Sequence, residues 1–491
     1  MRAPLIPFPQ SLRPALPTIE GNADYRQLRD QLLRFDECLR HSGIEERFVA
    51  DSVARWEQRQ NRASSKGQLK HQLHCRRALR CNILRTLLQE DFRGFAIRLA
   101  DSPLFQHFCG LGELDRVVVP SKSTLQRYAH WADHATLAQI IHELIGQAHH
   151  RPRQLRLAQA VDLETCFLDT TCLSAHIHYP VDWILLRDAT RTLMKAVKLI
   201  RAQGLRHRME EPAVFLTRMN RLCIEMTHTP QRLDGQRHRK RVLRRMDRLV
   251  RAVQEHAARY RQLLDAHWQR TDWSRPQAEQ VLRRLDGILR QLPAARHQAR
   301  QRIIREEPVR NEAKILSLYE PAVRVVVRHK AGAEVEFGNT LLLGESPQGL
   351  IIDWELFERT APQDARLVLD RVERIERSLQ IQLKAIGADR GFDSAHNQER
   401  LAERKIYNGV CPRSVPQLRA RMDSWKFARL QRRRSQTEGR ISIFLHNFLG
   451  QPIRTKGFSH RQLAVAWGVL AHNLWVLARL PQYRPRPRQA A

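Results

Sequence analysis

The chain has 491 residues and carries 84 Lys and Arg against 51 Asp and Glu, a formal net charge of +33. It exceeds the roughly 250–300 residues over which one core grows, so two or more structural units are expected, and with 42% hydrophobic residues, 21 Gly and 23 Pro it is neither disordered nor fibrous. The excess charge points to a polyanionic partner, and the predominance of Arg over Lys suits planar, two-pronged contacts to phosphate, although a GC-rich genome gives the same bias.

The first 17 residues are broken by prolines and lack the apolar run of a signal peptide. Residues 25–149 show helical periodicity with short breaks, and 1–160 is expected to be an all-α DNA-binding region. One break, Val119-Pro120-Ser121-Lys122-Ser123-Thr124, sets a capping Ser before a basic helix that runs to Tyr128. That pattern suits the second helix of a helix-turn-helix near 120–135, and equally an ordinary capped helix in a bundle. In the first case Ser121, Lys122, Ser123 and Arg127 face DNA.

The texture changes near residue 161. Residues 163–175 read as a strand, and 183–305 return to helix, with basic side chains outnumbering acidic ones by more than two to one and with the runs Arg237-His238-Arg239-Lys240-Arg241 and Arg244-Arg245. After Arg310 come three β-rich segments (314–327, 335–343, 350–357), a helix at 362–379, a strand at 383–388, a helix at 394–404, a strand at 406–411 and a helix from about 431 to 448. Joined to the strand at Asp169, these predict a βββαβαβα mixed sheet, an α/β domain from 161–182 plus 306–480 interrupted after its first strand by the insertion 183–305. The apolar stretch 463–480 contains His472, Asn473 and Arg479 and so predicts a buried helix and no membrane span. Residues 481–491 form an Arg/Pro tail. The eight cysteines include no C-x-x-C pair, and the His71, His74, Cys75, Cys81 group matches no common ligand spacing.

Three carboxylates stand where this order can bring side chains together: Asp169 within the first strand, Asp389 at the end of the fourth and Glu438 on the last helix. An ionised acid in an apolar strand is costly unless paired or bound to a cation, which makes Asp169 and Asp389 candidate metal ligands. Asp182, Glu336, Asp353 and Asp393 read as caps, turn acids or exposed strand residues, and His176 and His178 as a same-face pair with Ser174.

The motifs Leu168-Asp169-Thr170-Thr171, His178-Tyr179-Pro180-Val181-Asp182, Asp389-Arg390-Gly391-Phe392-Asp393 and Glu438-Gly439-Arg440-Ile441 resemble those of bacterial insertion-sequence transposases of the DDE class, closest to the ISNCY group. Leu99-Ala100-Asp101-Ser102-Pro103-Leu104-Phe105, the stretch from Pro120 to Tyr128 and Ala471-His472-Asn473-Leu474-Trp475 extend the resemblance over most of the chain. The resemblance implies a ribonuclease-H-like catalytic domain in which Asp169, Asp389 and Glu438 hold two Mg²⁺ ions, with Mn²⁺ able to substitute. It also implies double-stranded DNA partners, namely terminal inverted repeats and target DNA, and a homo-oligomer, a dimer, in the synaptic complex of a cytoplasmic, nucleoid-associated bacterial protein. Arg390, Arg434 and Arg440 flank the acids and are candidate DNA contacts; Arg434, four residues before Glu438, is expected to share its helix face and to orient it or meet phosphate. Gln431 and Leu445 depart from the Tyr and Lys of related groups. The alternatives to a transposase are a catalytically silent transposase-derived DNA-binding protein and a nuclease without strand transfer.

Overall fold

The computed structural model describes residues 16–58, 64–113, 116–228, 234–330 and 333–483. Seven helices come first: α1 (Ala23–Ser42), α2 (Ile44–Gln58), α3 (Ser65–Leu88), α4 (Phe92–Asp101), α5 (Pro103–Cys109), α6 (Lys122–Ala129) and α7 (His134–His150). Short polar side chains start several of them. Ser64, Asp91, Ser121 and Asp133 each accept a backbone N–H of the first turn, satisfying donors that a helix leaves unpaired. The expected cap at Ser121 is present, with Thr124 N donating to its Oγ at 3.3 Å.

Strand β1 (Thr165–Ser174) opens a six-stranded mixed sheet. The chain then leaves the sheet for α8 (Asp182–Ala202), α9 (Pro212–His228), α10 (Gly235–His267) and α11 (Arg275–Arg300), and returns as β2 (Arg324–Lys330), β3 (Ala333–Glu345) and β4 (Ile351–Leu356). Next come α12 (Asp364–Leu379), β5 (Ala385–Ala388), α13 (Ala395–Glu403), β6 (Tyr407–Val410), α14 (Val415–Met422), α15 (Trp425–Ser435), α16 (Thr437–Phe444) and α17 (Phe458–Arg479). β1 runs antiparallel to β3 and parallel to β5, which is parallel to β6. The far edge of β3 takes β2 along its first half and β4 along its second.

The protein is thus mixed α/β, with as many strands before α12 as the separate segments predicted, one more than the order βββαβαβα counts. Residues 314–323, expected as strand, are not: Pro321 lacks an amide donor, and the apolar side chains pack sideways, Leu318 into the helical bundle and Leu316 and Val323 against Ala175. The helix expected at 431–448 is two helices, α15 and α16, followed by a π-turn at Leu445–Leu449. α14 was not foreseen.

One continuous core joins the N-terminal helices, the sheet, α12 and α17, so the first 160 residues do not stand apart from the sheet. α17 lies inside it as expected; its buried Asn473 donates to Ile351 O at 2.8 Å and accepts from Ile351 N at 2.9 Å, satisfying the backbone of β4. Among the described residues no helix is long and apolar enough to cross a membrane. Helices α8–α11 have a core of their own, with Leu193, Val250, Tyr260 and Leu285 fully buried. Each such side chain contributes about 2 kcal/mol by leaving water. The Arg/Pro tail beyond Tyr483 lies outside the described residues.

Candidate active site

Parallel pairing decides where the first two acids meet. Leu168 lies opposite Ala388 in the β1–β5 register, so Asp169 and Asp389 follow side by side as β5 ends. The four residues of β5 are buried, and all but Ile386 are small; a Cβ on Gly387 would sit 2.8 Å from the Phe167 ring, and only glycine admits that approach. Carboxyl ends of parallel strands are where open α/β sheets place their ligands. Asp389 caps the turn Arg390–Phe392, accepting from Gly391 N at 2.8 Å, which fixes its carboxylate.

Glu438 stands exposed in the first turn of α16. Arg433, near the end of the preceding α15, donates to Glu345 Oε1 at 2.8 Å, to Ser346 O at 2.9 Å, to Pro347 O at 2.8 Å and to Thr437 Oγ1 at the start of α16 at 3.4 Å, and stacks over Phe167 at 4.9 Å. Arg440 reaches the same Glu345 oxygen at 3.1 Å. The 346–349 turn closes around Arg440 at Gly349, whose φ of +97° and whose contact with the guanidinium exclude a side chain.

Asp389 and Glu438 both act on the Asp169 carboxyl. Burial pushes the Asp169 carboxyl up to about 7, and the charges of Asp389 and Glu438 push the same way; Thr170 N, which donates to Asp169 Oδ1 at 2.7 Å, and Arg328 oppose them. A fourth acid joins them. Asp364, the first residue of α12, accepts from Thr170 Oγ1 at 3.1 Å, and its carboxyl is raised by burial and by Asp389. Asp364 Oδ2 and Asp389 Oδ1 both lie about 3 Å from the point where a Cβ on Gly391 would sit. Arg328 of β2 donates to Thr170 O at 3.3 Å and leaves its buried Nε unpartnered. Neither Asp364 nor Arg328 was foreseen: an Asp opening a helix reads as a first-turn acid, and an Arg in a strand as a solvated residue.

Among the described residues no group of three or more His, Cys, Asp or Glu side chains is drawn tightly enough to hold a metal ion as it stands. The lower-ranked residues take other places. Asp353 and Asp182 are buried in ion pairs with Arg374 and Arg302, and Asp393 accepts from Gln398 and from Arg413 N. Glu336 lies beside the Cys172 thiol. His176 and His178 are exposed and lie past the end of β1, so they do not share a strand face with Ser174. His71 stacks between Trp56 and Trp131, His74 meets the Tyr128 hydroxyl, Cys75 accepts from Trp131, and Cys81 is buried with the other cysteines, all free.

Of the proposed DNA contacts, Ser121, Lys122, Ser123 and Arg127 occupy the exposed side of α6, opposite buried Leu125 and Tyr128, and Arg390 is exposed beside Asp389. Arg440 is instead engaged with Glu345. Arg434 does not orient Glu438: its helix ends at Ser435, and its Nε donates to Gln431 Oε1 at 3.1 Å, while Gln431 Nε2 donates to Gly409 O of β6. None of the family models, curated proteins or solved structures compared with the chain matches it.

Proposed function

We propose that this chain is a DNA transposase of the DDE class, cleaving at transposon ends and joining them to target DNA, on a ribonuclease-H-like catalytic domain. The observation that supports the reading is the parallel register that sets Asp169 beside Asp389 at the strand ends, together with the upward push of Asp389 and Glu438 on the Asp169 carboxyl. With β2 set aside as an edge extension, the order β1, β3, β4, α12, β5, α13, β6 and terminal helices is the βββαβαβα expected, which supports the fold.

The donor set fits Mg²⁺. All the donors are hard carboxylate oxygens; burial first, and neighbouring carboxylates after it, raise the carboxyls of Asp169 and Asp364, with Arg328 opposing both. Asp169, Asp389 and Glu438 would hold two ions, which when bound activate an attacking oxygen and stabilise the leaving one at phosphorus. The protein's own part is placement. Gly391 N and Thr170 N orient the two aspartates, and the Arg433–Glu345–Arg440 cluster holds the start of α16, which carries Glu438. Arg390, exposed beside Asp389, meets the phosphate backbone. Water attacks phosphorus at the transposon end and breaks its bond to the 3′ oxygen, which leaves as a 3′-hydroxyl; that hydroxyl then attacks a phosphorus of target DNA and displaces a new 3′ oxygen. Two copies of the chain pair the two ends.

The test is strand transfer from a pre-cut duplex carrying the element's own terminal repeat. Joined product is expected in Mg²⁺ or Mn²⁺. Cleavage of intact ends without joining would make the chain a nuclease, and binding with neither would make it a catalytically silent DNA-binding protein.

A further inference from the structure

The helical insertion holds two populations of cations. Some are neutralised: Arg245 by Glu225, Arg251 and Arg296 by Asp247, Arg261 by Asp286, Arg275 by Glu279. Others, Arg237, Arg241, Arg244 and Arg248 of α10 among them, make no ion pair among the described residues, and around one cavity of about 520 Å³ between α8 and α11 such cations gather from two helices and a loop. Arg191 and Lys195 line it from successive turns of α8, Arg283 and Arg284 from α11, and Lys456 from the loop before α17. Among the described residues none of these five makes an ion pair, and no carboxylate lines the cavity.

The cluster is built, since its loops are fixed by bonds unrelated to the five charges. Tyr319 OH bonds Thr192 Oγ1 at 2.6 Å on the cavity wall, and Gln291 holds Leu318 O at 3.0 Å. Lys456 is set in place by its neighbour: Gly457 N donates to buried Glu320 at 3.0 Å, and Glu320 is closed from the other side by buried Arg461. Gathering five like charges is unfavourable unless an anion joins them. A second cavity, of about 850 Å³, shares Lys456 and adds Arg85 and Arg454; of its two acids Glu90 pairs with Arg98, and Asp91 caps α4 and acts on Arg454. This second cavity is also lined by His130, the residue after α6.

We infer that these two cavities form one phosphate seat for duplex DNA, running from the end of α6 across the 450–457 loop to the α8–α11 face of the insertion. The Thr192 and Tyr319 hydroxyls and the Arg forks suit phosphate oxygens, which duplex DNA presents along its backbone. The inference rests on the reading of the chain as a DNA enzyme, and it gives the insertion a defined job: it holds the duplex whose end lies at the acids.

The experiment uses the full chain and a random-sequence duplex, with affinity followed by fluorescence anisotropy between about 50 and about 200 mM salt. The variants are Arg191→Gln with Lys195→Gln, Arg283→Gln with Arg284→Gln, and the ion-paired Arg275→Gln as control. Each double variant is expected to flatten the slope of log affinity against log salt by about 1 to 2, at roughly 0.9 for each phosphate that is no longer neutralised, while the control keeps the slope of the unaltered protein. Duplex binding with one slope in all variants would overturn the seat and leave the proposed function standing. No duplex binding by the unaltered protein at any salt would overturn the DNA reading itself. If inorganic pyrophosphate raises the melting temperature of the unaltered protein but not of the double variants, while their DNA slopes stay equal, the cavity takes a small phosphate and the DNA assignment is overturned.

Discussion

Thr170 donates from Oγ1 to Asp364 Oδ1 at 3.1 Å, fastening the first residue of α12 to the strand residue that follows Asp169. Through this bond a helix on one side of the sheet contributes a carboxylate to the cluster formed by the strand ends. Asp364→Asn keeps an acceptor for Thr170 and removes the charge. It is expected to raise the Mg²⁺ concentration needed for half-maximal cleavage by about 10-fold to 100-fold, the usual cost of losing a group that supports metal ligands. A Mg²⁺ titration of cleavage checks this, and an unchanged midpoint would remove Asp364 from the site.

The Asp169 carboxyl gives a pH dependence of definite sign. In the folded, metal-free protein it keeps its proton up to about pH 7, against 3.8 for an ordinary Asp, because it is buried and faces Asp389 and Glu438. Between those values the folded state binds more protons than the unfolded chain, so this group makes stability fall as pH rises from about 4 to about 7. Asp364, shifted the same way, adds to the fall. Urea unfolding in chelator should therefore show Asp169→Asn gaining stability relative to the unaltered protein as pH rises through this window. In the presence of Mg²⁺ the proton must leave, so apparent metal affinity should climb with pH and level off above about 7.

Arg433 anchors the end of α15 and reaches Thr437, where the helix carrying Glu438 begins. Burial outweighs the attraction of both arginines on Glu345, whose carboxyl is raised, so the anchor's worth lies in its hydrogen bonds more than in its charges. Arg433→Ala removes donors to Glu345, Ser346 and Pro347 together and is expected to cost about 3 kcal/mol, with cleavage lost more steeply than DNA binding. Glu345→Gln, which keeps an acceptor, should cost less than half as much. Denaturant midpoints for the two variants decide the order.

Asn473 pairs both the amide and the carbonyl of Ile351 in a fully buried setting. Asn473→Ala would leave two backbone groups dry and unpaired, at a cost of about 3 kcal/mol or more. Asn473→Leu, although it restores volume, should be no better, and thermal unfolding would show it.

Much of this arrangement was legible in the residue order. A short apolar, Thr- and Cys-containing run around Asp169 and a short apolar run before Asp389, with their flanking turns, located β1, β5 and β6, and Ser121 announced its helix. The failures have physical causes. Residues 314–323 carry an apolar pattern made by packing between bundle and sheet, which a one-dimensional pattern does not separate from a strand. The helix through 431–448 is interrupted near Ser435–Gln436 with no Pro or Gly to mark it. Asp364 and Arg328 enter the site through the pairing of β2 and the placement of α12 beside β1, and Arg440 is drawn away from solvent by Glu345, a contact across 95 positions.

The central claim is that Asp169, Asp389 and Glu438 perform phosphoryl transfer as one unit. The most direct measurement is Mg²⁺-dependent cleavage of a duplex carrying the element's end by Asp169→Asn, Asp389→Asn and Glu438→Gln, each compared with the unaltered protein for cleavage and for DNA binding. Loss of cleavage in all three with DNA affinity nearly unchanged is the predicted result. Full cleavage by any one of them would contradict the account.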